Sequence, residues 1–162
     1  MTRKHSALVA LGFGALAYGA ATLGALAMRG KGRPNGLWFR RLRKPRFEPP
    51  NRAFGPVWTV LYATIAYAGW KIWRAEPSPA RTRALALWGT QLGFNALWTP
   101  LFFGARKPGL ALADMAALDA TAIGFAAVAR EVEPAAAKAF VPYLGWLGFA
   151  TALNTAIVVK NR

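Results

Sequence analysis

Cysteine is absent from all 162 residues, which excludes disulfides, thiolate metal sites and cysteine nucleophiles. Histidine occurs once, as His5 in a basic N-terminal tail, and serine only as Ser6 and Ser78, neither accompanied by both a histidine and an acid. A hydrolase of the Ser-His-Asp kind is excluded with them. Charge is scarce: 17% of residues carry it, only six of them acidic, against 55% hydrophobic residues. Such a chain has little left for a water-facing surface, and no separate soluble domain fits inside it.

What is present is five hydrophobic stretches, roughly Ala7 to Met28, Ala53 to Trp73, Ala84 to Gly104, Gly109 to Ala129 and Ala139 to Val159, with one long loop over 29–52. Each is about 21 residues, and a helix rising 1.5 Å per residue needs about 20 to cross a hydrocarbon core about 30 Å thick. Membrane β-strands would instead be about ten residues of alternating polarity, which these runs are not. The expected fold is all-α, an integral membrane bundle of five transmembrane helices forming a single domain over 1–162. Ala25-Leu26-Ala27 has the form of a signal-peptide cleavage site. The apolar run before it, about 22 residues, exceeds the usual 7 to 15, so the first stretch reads as a span.

The net charge of +15 raises the question of nucleic acid, and the distribution answers it. The basic residues lie in tails and connections, and alternating the five spans puts thirteen on the side of the long loop and C-terminus and eight on the other. That asymmetry orients a membrane protein, with the N-terminus outside and the C-terminus inside; the membrane expected is a bacterial cell membrane. The expected partner is a lipid bilayer, whose anionic headgroups attract each flanking Lys or Arg by about 1 kcal/mol. No nucleic-acid partner is expected.

Inside the spans, faces can be sorted by helical spacing. Small residues four apart in the first span, Ala10 and Gly14, Ala15 and Gly19, Ala20 and Gly24, permit close helix approach within the bundle or across a homodimer. Trp88, Gln91, Asn95, Trp98 and Phe102 form one stripe; Phe54, Trp58 and Tyr62 a second; Tyr143, Trp146, Ala150 and Asn154 a third. An amide in hydrocarbon costs several kcal/mol without partners, so Gln91, Asn95 and Asn154 are expected to face the interior, either bonding helix to helix or serving a site. Converging π faces with a few fixed amide and phenol groups suit a flat, mostly apolar ligand. Asp114 lies near enough to the interface to pair with Arg106 or Lys107, while the mid-span Asp119 must be neutral, paired or wet. The loop from Gly30 to Pro50 mixes basic and aromatic residues with Pro45, Pro49 and Pro50, which favour an extended, defined path across the bundle mouth.

The residues Trp38-Phe39, then Leu42 through Pro50 (LRKPRFEPP), then Phe54 through Tyr62 (FGPVWTVLY), resemble the signature of the translocator protein or tryptophan-rich sensory protein (TspO/MBR) family. Gln91-Leu92 with Asn95, Trp98, Pro100 and Phe102-Phe103-Gly104, and Pro142 through Trp146 (PYLGW) with Phe149-Ala150 and Leu153-Asn154, are similar to its third and fifth helices. The resemblance runs from Trp38 to Asn161; the first span matches only in kind. It implies five transmembrane helices, often dimeric, with an internal pocket closed by the first loop. The implied ligands are protoporphyrin or a haem-like tetrapyrrole and other flat hydrophobic molecules, with no required cofactor and no metal. Carried over by position, the implied ligand-binding residues are Trp38, Phe47, Phe54, Trp58, Tyr62, Asn95, Trp98, Leu110, Tyr143, Trp146, Phe149, Ala150 and Leu153. The chain departs from the animal members at Glu48, where they have His, and at Leu110, where they have Trp. It also lacks a Tyr between Leu153 and Lys160, which the sterol motif of those members requires.

The expected function is thus binding of tetrapyrroles in an intrabundle pocket, in a sensory or regulatory role. The alternatives are a transporter of such ligands, or an enzyme degrading porphyrin with light or oxygen; no conventional catalytic constellation supports ordinary catalysis. Absence of an internal repeat disfavours an inverted-repeat transporter.

Overall fold

The computed structural model describes residues 3–29 and 34–162. Lys31 and Arg33 of the long loop lie outside the described residues, as do the side chains of His5 and Arg29 and the surroundings of Gly24. Among the described residues there are six α-helices and no strand: α1 (Arg3–Arg29), α2 (Pro34–Arg41), α3 (Asn51–Arg74), α4 (Pro79–Thr99), α5 (Pro108–Val132) and α6 (Pro134–Lys160). A π-helical turn, Pro100–Gly104, prolongs α4. The five long helices pack as an all-α membrane bundle, with α4 against α5, α5 against α6, α3 against α6, and α1 against both α3 and α4.

Proline sets several of the helix starts. Pro79, Pro108 and Pro134 stand in the first turn of α4, α5 and α6, where the missing N–H would have no intrahelical partner anyway. Ser78 caps α4 by accepting a hydrogen bond from the Arg81 backbone N–H at 3.1 Å, and Glu133 caps α6 by accepting from that of Ala135 at 3.3 Å. Pro100 acts in mid-helix: it cannot donate to the preceding turn, and the chain responds with a wider loop closed by Ala105 N–H to Pro100 C=O at 2.8 Å. The descent into α5 then passes through Arg106 at a left-handed φ of 55°.

By length and hydropathy together α5 and α6 qualify as membrane spans, with mean hydropathies of 1.5 and 1.3 over their most apolar windows. Helices α3 and α4 are long enough, but their Trp, Tyr and Thr residues, with Gln91 and Asn95 of α4, dilute the apolar average. The long loop contains a short helix that its prolines do not announce. Residues 34–41 form α2, started by Pro34 and carrying Arg40 and Arg41 at its C-terminal, negative end of the helix dipole. The proline-rich stretch after it, 42–50, is non-helical and turns at Arg46-Phe47.

The bundle is densely packed at one end and hollow at the other. At the dense end Phe13, Ile65, Ala68, Ile72, Ala84, Trp88, Phe125, Ala129, Ala136 and Phe140 form the core. Gly69 is necessary there: a Cβ added to it would sit 2.6 Å from the Trp88 ring and 2.7 Å from Phe13. The Trp88 indole is also fixed by its N–H, which donates to the Ile65 carbonyl of α3 at 2.9 Å. On α1, Phe13, Ala17 and Ala20 are buried, whereas a Cβ at Gly12, Gly14 or Gly19 would meet nothing within 4 Å. None of these glycines is needed for close packing among the described residues; Gly12 and Gly19 share one flank of α1, with Gly14 on the opposite flank.

Candidate functional site

At the other end, where α3 begins, α4 ends, α5 begins and α6 ends, the helices enclose a cavity of about 380 Å³. Such a volume lies within the range of about 300–1,000 Å³ usual for small-molecule sites. Helix α3 contributes Phe54, Trp58 and Tyr62, spaced by four and so stacked along one face. Helix α4 and its π-helical extension contribute Asn95, Trp98, Thr99, Phe102 and Phe103; α6 contributes Trp146, Leu147, Phe149, Ala150, Leu153, Asn154 and Ile157. Met115 and Leu118 of α5, Ala20 of α1, and Phe39 and Glu48 from the loop segment complete the lining.

The aromatic rings hold one another in place. Trp58 stacks on Tyr62 with centroids 5.2 Å apart and meets Trp146 edge-on at 6.1 Å, and Phe54 meets Trp146 at 5.8 Å. Trp98 stacks on Phe102 at 5.0 Å. The result is a wall of indole and phenyl rings whose geometry is fixed before any ligand arrives.

One polar chain crosses this wall. The Tyr62 hydroxyl donates to Asn95 Oδ1 at 2.6 Å, Asn95 Nδ2 donates to the Tyr143 hydroxyl at 2.9 Å, and that hydroxyl donates to Gln91 Oε1 at 2.9 Å. All four groups are buried, so the chain ties α3, α4 and α6 together where each unmade bond would be costly. Its cavity-facing members are Tyr62 and Asn95.

A clasp holds the loop over the mouth. The Asn161 side chain at the end of α6 accepts from the Arg43 N–H at 2.9 Å and donates to the Arg43 carbonyl at 3.0 Å, gripping the backbone of one residue at both of its polar groups. Nearby, Lys44 pairs with Glu48 at 2.9 Å and lies 3.7 Å over the Phe39 ring, and Phe47 meets Phe149 edge-on at 6.1 Å. Arg43 and Arg46 remain exposed beside this segment.

Of the residues expected at the site, nine line the cavity: Phe54, Trp58, Tyr62, Asn95, Trp98, Trp146, Phe149, Ala150 and Leu153. Four do not. Trp38 packs edge-on against Phe102 at 5.8 Å, behind the wall; Phe47 is half exposed on the outside of the lid. Tyr143 is fully buried one layer back, its ring 6.4 Å from Trp58, and Leu110 is half exposed on the outer face of α5, with Ala111 the residue turned inward. Sequence reasoning missed Met115 and Leu118, which carry no aromatic or polar signal, and Phe39 and Phe103. The acids part ways: Asp119 Oδ2 accepts from the Thr151 hydroxyl at 2.7 Å, joining α5 to α6. Asp114 is buried, with neither oxygen hydrogen-bonded among the described residues, so the pairing expected for it is not made as a hydrogen bond.

The chain is similar to known proteins. The model of the TspO/MBR family matches residues 11–160. The chain is 41% identical over 129 residues to the tryptophan-rich protein TspO of Archaeoglobus fulgidus, covering 76% of this chain and 80% of that protein. It is 37% identical over 128 residues to the human translocator protein, covering 77% and 75%. To the tryptophan-rich sensory protein of Cereibacter sphaeroides it is 36% identical over 117 residues, 72% of each.

Proposed function

We propose a function for this cavity from one premise: the chain belongs to the TspO/MBR family and is, with it, a membrane protein. The cavity binds protoporphyrin or a related tetrapyrrole, and occupancy is sensed through the loop that covers its mouth. The observation carrying this reading is the lining itself: rigid indole and phenyl faces, few polar groups and no basic side chain among the described lining residues. A flat π system gains contact on both faces in such a slot. The cavity lies near the lower end of the usual range for small-molecule sites, so a macrocycle enters edge-first. Its propionates stay at the mouth, where Arg43 and Arg46 are exposed and can meet them as charge-assisted partners.

The same reading orients the protein with the loop and C-terminus on the inner side of a bacterial membrane, supported by the thirteen-to-eight distribution of basic residues. It also assigns a second copy of the chain to the flank of α1 that carries Gly12 and Gly19, where backbones can approach closely. The test of binding is a titration of the purified, detergent-solubilised protein with protoporphyrin, read by tryptophan quenching. The reading predicts saturation at one ligand per protomer; quenching that rises linearly without saturation would reject it. Running the titration dark and illuminated separates a binder, which leaves the porphyrin spectrum intact, from an enzyme that consumes it.

A further inference from the structure

Among the described residues, the polar chain gives both ends of the Asn95 amide a partner and leaves only Gln91 Nε2 unpaired, one layer behind the cavity, whereas Asn154 has no partner at either end. Its side chain is 1% exposed and lines the cavity, yet neither Oδ1 nor Nδ2 has a hydrogen-bond partner among the described residues. The indole N–H groups of Trp98 and Trp146, on the same cavity, are likewise unpaired among those residues. A buried amide without partners weakens a fold, and a leucine of nearly the same size would fill the position without that cost. The position is therefore built for something that arrives in the cavity.

The chemistry of that partner follows from what surrounds it. Glu48 is the acidic residue of the described lining, which holds no Lys, Arg or His, and its carboxylate is engaged by Lys44 at 2.9 Å. The deep part of the cavity thus offers no charge to a charged group. A carboxamide presents one donor and one acceptor side by side, which a ligand matches with an N–H or O–H beside a carbonyl. We propose that Asn154 is the specificity-determining anchor of the cavity, selecting flat ligands whose buried edge carries a neutral lactam, imide, cis-amide or undissociated carboxylic acid. The two indole N–H groups then serve as further donors to carbonyl oxygens on that edge. This assignment rests on the cavity being a ligand site; protoporphyrin, whose buried edge carries no such group, would be held by its π faces and leave Asn154 unpaired.

Three flat probes of one shape test it: phenanthridin-6(5H)-one, which has the lactam; its N-methyl derivative, which keeps the carbonyl and loses the N–H; and phenanthridine, which has neither. In the wild-type protein the lactam should bind about tenfold more tightly than either of the others, the scale of one buried hydrogen bond left unmade. Asn154→Leu should bring the three within about twofold of one another and leave the melting temperature in detergent unchanged or raised. Asn95→Leu, which removes a fully bonded amide, should lower it. No lactam preference in the wild type would overturn the assignment without any variant being needed. So would an undiminished preference in Asn154→Leu, or a loss of stability matching that of Asn95→Leu, which would make Asn154 a helix-to-helix bond. Protoporphyrin run alongside separates the two claims: if it binds while the probes show no preference, only the role of Asn154 falls, and if nothing binds, the cavity reading falls with it.

Discussion

Trp98 and Trp146 each present an indole to the cavity, whereas Trp73, at the dense end of the bundle, packs on Phe13 at 6.3 Å and under the Arg81 guanidinium at 4.9 Å. Truncating either of the first two to Ala should weaken protoporphyrin binding by about 1–3 kcal/mol, the loss of an aromatic contact in a desolvated site. Trp73→Ala should bind as the parent does. Equal affinities for all three variants would reduce the cavity rings to packing. A second residue-scale prediction concerns Tyr143, which both accepts from Asn95 and donates to Gln91. Removing its hydroxyl in Tyr143→Phe leaves two buried amides short of a partner, and thermal unfolding in detergent should register a loss of about 1–3 kcal/mol. An unchanged midpoint would mean the chain adds nothing to stability. At this scale the sequence was readable where 3.6-residue spacing held: Trp58, Asn95, Trp146 and Ala150 were all on stripes that reach the cavity. It was unreadable at Phe103, because the π-helical turn at Pro100 changes the phase and brings two consecutive phenylalanines to one wall. Leu110 failed for the converse reason: position in a motif says nothing about which side of α5 a residue occupies.

Among the elements, the contact of α3 with α1 and α4 and the loop above the mouth are the two most sensitive to single changes. Gly69 lets α3 close on the Trp88 ring and Phe13. Gly69→Ala would force that ring off its hydrogen bond to Ile65 or push α1 outward, an overpacking cost of about 1–3 kcal/mol that a melting curve would detect. A melting temperature equal to the parent's would show that this contact yields freely. The loop depends on Asn161, whose two hydrogen bonds to Arg43 hold it to the end of α6. Asn161→Ala should loosen the lid and speed protoporphyrin release by about tenfold, with little effect on the association rate, since closely related variants differ mainly in dissociation. Stopped-flow displacement measures both rates, and an unaltered release rate would free the clasp of any role. Neither feature was visible in the sequence. Gly69 is one of sixteen glycines, and Asn161 lies 118 residues from its partner, a distance that no local pattern bridges. The helices themselves were legible because long apolar runs in a chain this poor in charge leave no other fold, whereas α2 was hidden by the prolines around it.

The molecule as a whole divides its labour between a dense end, where α1, α3, α4, α5 and α6 interlock, and a hollow end walled by aromatic rings and covered by a basic loop. Stability and binding should therefore be separable by position. Ala150 is where that separation is sharpest, because its methyl lies on the cavity wall one turn beyond Trp146 and a larger side chain there would occupy ligand space. The most direct measurement is protoporphyrin affinity and detergent melting temperature for Ala150→Leu beside the parent protein. The account predicts that affinity falls at least tenfold while the melting temperature stays within a few degrees, the leucine extending into the cavity and not into packed core. Unchanged affinity in a folded Ala150→Leu protein would contradict it and place the tetrapyrrole site elsewhere.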